Sequence, residues 1–274
     1  MTVRPGLPLH VEVIPGEALL ERLLTHLPAP VTVSVTCLPH HGPQEAVQTA
    51  VGLADAGYTA IPHLAARSVT DRRALAGYVH QCLDAGITEV FVIGGDRPEA
   101  AGPYAWSGAL MQDIADLSGG GLRMGIAVYP EGHPATDDGE LVATLRSRQD
   151  LASWSVTQLC FDPETLRAFP GRLRADGIEL PVWAGIPGPV RVSRLLRLTR
   201  RIGVGQSLGF LRRSAGGSNS GSVMRQLVTT ASYDPAPLVR AVDGAGYAGL
   251  HVYSFNDLAE LAGSELAAPI TGGR

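Results

Sequence analysis

Eight short runs rich in β-branched residues recur along the chain, and this repetition constrains the fold more than any other feature. The runs are HVEVIP (10–15), VTVSVTC (31–37), AIPHL (60–64), EVFVIGG (89–95), MGIAVYP (124–130), VTQLCFD (156–162), LPVWAGI (180–186) and LHVYSF (250–255). Segments whose apolar residues lie three and four apart separate the runs, as in 71–86 and 107–117, and this spacing is typical of amphipathic helices. Alternating strands and helices indicate βαβ units and a parallel sheet.

Eight such units predict closure into one (β/α)8 TIM barrel, a single α/β domain over residues 1–274, because a barrel of this kind uses about 250 residues. A doubly wound open sheet is the alternative. Glycines at 57, 86 and 177 stand where helices are expected to stop, each shortly before the next strand. Before the eighth strand we expect a helix over 191–203 and a Gly/Ser-rich loop over 212–222, which is either a lid or a connector.

The composition excludes several classes of protein. With 45% hydrophobic and 18% charged residues, the chain is typical of a globular domain that buries a large core. A net charge of −4 argues against nucleic acid as a partner. The sequence has no apolar run of about 18 residues and no signal peptide, so we expect no membrane partner and a cytoplasmic location. All 22 basic residues are arginine, which excludes mechanisms that need a lysine.

Polar side chains stand at or near the ends of most of the predicted strands. They are Glu12, Thr36, His63, Asp96, Tyr129, His133, Gln158 and Tyr253. Because the active site of a TIM barrel lies at the carboxyl ends of its strands, we expect these side chains to surround one site. Two of them are carboxylates, so one could act as a general acid while the other stays ionised.

Other site chemistries find less support in the sequence. Cys37, Cys82 and Cys160 lie far apart in apolar segments, so we interpret them as buried side chains rather than as a disulfide or metal ligands. His40 and His41 are adjacent on a loop, which does not by itself make a metal site, and we predict no metal.

Six segments follow one another in an order known from one enzyme family. They are HVEVIP (10–15), VSVT (33–36), PHL (62–64), IGGD (93–96), YPEGHP (129–134) and VTQLCFD (156–162). Taken together, from Val11 to about Leu261, the sequence resembles the catalytic barrel of the methylenetetrahydrofolate reductases.

The resemblance implies a flavoenzyme that takes hydride from NADH or NADPH and passes it through FAD to 5,10-methylenetetrahydrofolate, which becomes 5-methyltetrahydrofolate. It implies that Glu12 is the general acid and that Asp96 binds the pterin beside the flavin. It implies contacts to folate from Asp96, Gln158, Leu198 and Tyr253. It implies a flavin site formed by Thr36, His63, Asp96, Tyr104, Ala105, Tyr129, His133 and Arg148. A homo-oligomer is compatible with it.

Four positions depart from the family's pattern. Gly94 stands in place of an arginine, Leu141 of an acidic residue, Thr144 of an asparagine and Asp257 of an arginine. Three of these positions are associated with the flavin, so we expect FAD to bind less tightly than in a typical member. Two alternatives stay open: a flavin-independent reductase with direct hydride transfer, and a folate-binding protein or methyl-group transferase on the same barrel.

Overall fold

The computed structural model describes residues 7–133, 136–190 and 233–267. Eight parallel strands close into a barrel in the order of the sequence, which confirms the predicted TIM barrel. The strands are β1 (Leu9–Val13), β2 (Thr32–Val35), β3 (Thr59–Ala65), β4 (Glu89–Ile93), β5 (Arg123–Val128), β6 (Trp154–Thr157), β7 (Val182–Pro187) and β8 (Gly249–Tyr253). The barrel closes where β8 pairs with β1, with His251 beside His10 and Tyr253 beside Glu12.

Helices alternate with the strands. Those in the described ranges are α1 (Leu19–His26), α2 (Gly42–Asp55), α3 (Arg72–Asp84), α4 (Ser107–Ser118), α5 (Asp138–Arg146), α6 (Pro163–Ala175), α7 (Ala236–Val242) and α8 (Leu258–Ala262), with short 3-10 turns at Ala66–Ser68 and Glu265–Ala267. None of these helices is long and apolar enough to cross a membrane. The predicted helix over 191–203 with Leu198, and the predicted loop over 212–222, lie outside the described residues. A single domain over the whole chain therefore stays a prediction.

Local sequence signals account for the helix boundaries. The three glycines expected to end helices, Gly57, Gly86 and Gly177, have φ angles of 90°, 70° and 72°, a region that residues with a Cβ rarely adopt. At the other end, the Asp71 carboxylate accepts a hydrogen bond from the Ala74 N–H and caps α3, and Asp137 caps α5 in the same way. Single residues, a glycine at the end of one helix and an aspartate at the start of another, thus determine these helix boundaries.

The apolar core has an outer layer between barrel and helices and an inner layer within the barrel. The three cysteines are free and buried, as predicted. The inner layer packs Ile61, Phe91, Trp154 and Val156 together. Gly125 on β5 makes room for the Trp154 indole, since a Cβ there would lie 2.4 Å from the ring. The inward face of the strands thus combines large rings with glycine and leaves space above them at the carboxyl ends.

Candidate functional site

A cavity of about 560 Å³ opens at the carboxyl ends of the strands, a volume typical of small-molecule sites. Ten of the twelve residues that the sequence singles out line it. They are Glu12, Thr36, His63, Asp96, Ala105, Tyr129, His133, Arg148, Gln158 and Tyr253. They come together because parallel strands present their carboxyl ends at one face of the barrel. Their individual roles stay predictions.

The other two residues are not placed at this cavity. Tyr104 is buried beside it and donates a hydrogen bond from its hydroxyl to Asp113 of α4, at 2.5 Å. Asp113 in turn pairs with Arg72 of α3 at 3.2 Å. Asp113 therefore joins α4 to α3 through Arg72, and the Tyr104 hydroxyl fastens the loop before α4 to Asp113. Leu198 lies outside the described residues.

The Glu12 carboxyl group meets two histidines on the inner side of the cavity. Its Oε2 lies 3.2 Å from Nε2 of His251 and 4.0 Å from Nε2 of His63. The Ser254 hydroxyl donates to the backbone carbonyl of Glu12, and the Ser34 hydroxyl lies 2.6 Å from Nε2 of His63. The Glu12 side chain is only 15% exposed, so these contacts hold it within the barrel mouth.

Burial shifts the pKa of two groups that flank Glu12. Burial, followed by the nearby charge of His251, lowers the pKa of His63 to about 3, so this imidazole is neutral at ordinary pH. Burial, followed by the charge of Glu12, raises the pKa of Tyr253 well above its usual value. The phenol therefore stays protonated and donates to the Thr157 carbonyl oxygen at 3.2 Å. Gln158 lies beside it, with Oε1 at 3.5 Å from the same phenol.

Asp96 lies at the outer rim of the cavity, in the turn that follows β4, and its side chain is exposed. The φ angle of 87° at Gly95 makes this turn possible, and a Cβ at Gly95 would lie 3.1 Å from the Cβ of Ala65. Gly94 contributes no side chain, and a Cβ there would have open space around it. Of the two carboxylates predicted from the sequence, Glu12 lies within the barrel mouth and Asp96 at the rim. A third carboxylate, the exposed Glu140 of α5, also lines the cavity.

Two arginines line the cavity in the described ranges, and they differ in how they are held. The Arg67 guanidinium donates to three backbone carbonyls, those of Arg97, Pro98 and Ala105, so its hydrogen-bonding edges are taken up by the loop after β4. The buried Arg148 guanidinium donates to the Ser107 hydroxyl and to the Thr144 carbonyl. Burial lowers the pKa of Arg148, and Tyr129 opposes this shift. The Arg148 guanidinium thus lies at the start of α4, beside Ser107, and its charge acts on Tyr129.

Several residues in or next to the cavity were not predicted from the sequence. Arg67 and Trp106 line the cavity, and the Trp106 indole is 48% exposed at the rim. His251 and Ser34 contact the predicted residues Glu12 and His63. His251 lies two residues before Tyr253 and Ser34 two before Thr36, so the period of two along a strand could have found both. Nothing comparable in the sequence indicates Arg67 or Trp106.

Comparison with solved structures shows the fold. Oxaloacetate acetylhydrolase in complex with 3,3-difluorooxalacetate aligns over 97% of this chain and 82% of that chain, with a TM-score of 0.55 and 11% identity. 2,3-dimethylmalate lyase aligns over 91% of this chain and 76% of that chain, with a TM-score of 0.53 and 9% identity. At these identities the likeness concerns the barrel alone.

Comparison of the sequence with known proteins shows the family of the chain. A 5,10-methylenetetrahydrofolate reductase from Pectobacterium carotovorum subsp. carotovorum is 27% identical over 147 residues, which are 53% of this chain and 47% of that protein. This chain thus matches about half the length of that relative. The family model described as methylenetetrahydrofolate reductase matches residues 17–208, which include β2 to β7 and most of the cavity-lining residues. The chain therefore belongs to the methylenetetrahydrofolate reductase family.

Proposed function

We propose that this protein reduces 5,10-methylenetetrahydrofolate to 5-methyltetrahydrofolate, with NADH or NADPH as hydride donor and FAD as carrier. The observation that carries the proposal is the position of Glu12, a carboxyl group held inside the barrel mouth of a member of this family. A ring-opening reduction of this substrate needs a proton donor at the amine nitrogen that leaves the one-carbon unit. A partly buried carboxyl group beside an open cavity suits this task.

The substrate would lie between Glu12 and Asp96. Asp96 at the rim accepts hydrogen bonds only, so it suits the amino-pyrimidine edge of a pterin, which donates them. Gln158 and the Tyr253 ring lie side by side on the opposite wall and would contact the folate. In this arrangement Glu12 delivers its proton to the amine nitrogen as the five-membered ring opens, which leaves a reactive iminium to accept hydride.

The residues present fit a flavin. The buried Thr36 hydroxyl has no hydrogen-bond partner in the described part of the chain and would find one on the ring system. Open space above Gly94 lets a flat ring approach the backbone. Arg148 with Ser107 at the start of α4 would face the diphosphate, and His63, Tyr129, His133 and Ala105 would surround the rest. The flavin supplies hydride transfer, and the protein supplies orientation.

A flavin-independent reductase is the second candidate, and particular residues favour it. Leu141 and Thr144 line the cavity where the family has groups for the flavin, and the Arg67 guanidinium is already satisfied by backbone carbonyls. Fewer polar groups are thus left to hold a dinucleotide-sized cofactor. In this case the nicotinamide would pass hydride to the iminium directly, and Glu12 would keep its role.

The test is anaerobic oxidation of NADH or NADPH by the purified protein on addition of 5,10-methylenetetrahydrofolate, with 5-methyltetrahydrofolate identified by mass. We expect the oxidised nicotinamide and 5-methyltetrahydrofolate to form together. The visible spectrum of the same sample reports bound flavin and so separates the two reductases. Tight folate binding without any oxidation of the nicotinamide would instead support a binding protein or a methyl-group transferase, and would overturn the reductase.

A further inference from the structure

His251 makes the shortest side-chain contact recorded for the Glu12 carboxyl group. It lies on β8, is 1% exposed, and its Nε2 is 3.2 Å from Oε2 of Glu12. The two residues are 239 positions apart in the sequence and meet because β8 closes the barrel onto β1. His63 is farther away, at 4.0 Å, and its Nε2 is already within 2.6 Å of the Ser34 hydroxyl. His251 is therefore the histidine whose ring is directed at Glu12.

The direction of this hydrogen bond follows from the groups around it. A carboxylate can only accept, and a neutral imidazole has one N–H donor and one acceptor nitrogen. The Nδ1 of His251 is buried and has no partner among the described residues. An unpaired acceptor nitrogen is less costly there than an unpaired N–H, so the proton belongs on Nε2, which then donates to Glu12.

The other titratable groups facing this contact carry no charge that could replace it. His10 of β1 and His63 of β3 both have a pKa lowered to about 3, first by burial and then by the charge of His251. The phenol of Tyr253, two residues along β8, has its pKa raised and stays protonated. In the described ranges the only ion-pairing side chains within 4.0 Å of Glu12 are the two histidines. His251 is the group within hydrogen-bond distance of a carboxylate formed at Glu12.

We propose that His251 is a positioning residue, which orients the Glu12 carboxyl group towards the substrate and donates to the carboxylate that remains once Glu12 has given up its proton. The inference rests on the proposed role of Glu12. In the step concerned, the O–H bond of Glu12 breaks, an N–H bond forms at the amine nitrogen of the substrate, and the carbon–nitrogen bond of the ring opens. The electron pair of that bond stays on the amine, and water later returns a proton to Glu12.

The size of the effect follows from the kind of hydrogen bond. Bonds to a charged group are stronger than neutral ones, and losing one corresponds to about a 10-fold to 100-fold change in rate. Because the carboxylate forms as the ring opens, the loss falls on kcat. Binding of folate, which depends on other walls of the cavity, should change by less than about threefold.

The first arm of the test reads the contact without turnover. In protein labelled with ¹⁵N at histidine, the His251 signal is assigned as the one missing from His251→Gln. We expect the Nε2-protonated tautomer, and a changed His251 signal in Glu12→Gln. An Nδ1-protonated ring, or a signal that does not respond to Glu12→Gln, would overturn the inference.

The second arm measures function in three variants. His251→Leu removes the donor, and His251→Gln keeps an N–H at a similar distance. His10→Leu removes a buried imidazole that stacks on Trp183 and lies edge-on to His251, with ring centroids 6.3 Å apart, without an ion pair or hydrogen bond to Glu12. We expect kcat to fall by about 10-fold to 100-fold in His251→Leu, to recover in part in His251→Gln, and to stay near wild type in His10→Leu. Melting temperatures show whether each variant is folded.

The outcomes separate this inference from the proposed function. If the wild-type protein reduces 5,10-methylenetetrahydrofolate but His251→Leu keeps its kcat, the positioning role is wrong and the proposed function stands. Equal losses in His251→Leu and His10→Leu would mean general damage to the barrel interior and would also overturn the role. If wild-type protein does not reduce folate at all, the proposed function and the catalytic role of His251 both fall, while the labelled spectra still decide whether the contact exists.

Discussion

Among single residues, Glu12 is the side chain whose loss should be most costly for the proposed reaction. Glu12→Gln preserves the shape of the group but removes its acidic proton, so we expect folate reduction to fall by about 10²–10⁴-fold with folding and cofactor binding retained. Steady-state turnover and thermal unfolding measure the two effects. Glu17→Gln, at an exposed residue just after β1, is the matched control. Turnover above about a tenth of wild type would contradict the general-acid role.

Asp96 offers a test of folate recognition. Asp96→Asn places a donor opposite the donors of a pterin edge, so we expect folate affinity to fall by about 1–3 kcal/mol, or roughly 5-fold to 150-fold. Equilibrium titration with folate measures it, and Glu99→Gln, exposed on the same loop, should leave the affinity unchanged. If Asp96→Asn binds folate with the affinity of the wild-type protein, the Asp96 carboxylate does not bind the pterin edge.

Two buried histidines predict how the stability depends on pH. Burial lowers the pKa of His10 and of His63 to about 3, while in the unfolded chain they titrate near 6.5. Between these values the unfolded chain binds more protons, so the free energy of unfolding falls as the pH falls. The slope reaches at most about 1.4 kcal/mol per pH unit for each histidine.

Urea unfolding between about pH 5 and 7 measures this slope. His10→Leu removes one of the two histidines and should reduce the slope of the unfolding free energy against pH by up to about 1.4 kcal/mol per pH unit. His80→Gln, at an exposed histidine of α3, is the control for loss of a histidine as such. A slope that His10→Leu leaves unchanged would mean that the imidazole titrates alike in the folded and unfolded states.

Among the elements, the strands of the barrel interior depend on glycines opposite large rings. In Gly125→Ala the new Cβ on β5 would lie 2.4 Å from the Trp154 indole of β6, a distance that forces the ring or the strand to move. We expect a loss of about 1–3 kcal/mol in the free energy of unfolding, measured in urea. Gly52→Ala in α2 meets nothing within 4 Å and should be neutral or stabilising. Equal stability of the two variants would show that the interior adapts without cost.

For the whole molecule, the prediction concerns how tightly FAD is bound. The cavity keeps Thr36, Tyr129 and Arg148 but has Leu141 in place of a carboxylate, which should weaken FAD binding by about tenfold. We therefore expect purified protein to be partly free of FAD, and added FAD to raise both activity and melting temperature, since a ligand stabilises the state that binds it. Spectra and mass measure the bound fraction. Full activity without flavin, and no gain from adding it, would favour the direct-transfer reductase.

Much of the barrel could be predicted from the sequence because its signals are local. A buried strand is a short apolar run, and a helix end is a glycine such as Gly57, so each of the eight predicted runs overlaps a strand of the structure. That Glu12, Asp96 and Gln158 lie around one cavity was predictable as well. It follows from parallel strands in sequence order, whose carboxyl ends share one face of the barrel.

Only the tertiary structure decided which of the side chains around the cavity contact one another. His251 meets Glu12 across 239 positions because the barrel closes, and no local pattern reports which strands become neighbours at closure. Tyr104 shows the same limit, since its hydroxyl binds Asp113 on α4 rather than facing the cavity. The sequence by itself determined where strands, helices and their polar ends lie, because these depend on neighbouring residues. Which side chain touches which depended on packing between distant segments, which only the folded barrel brings together.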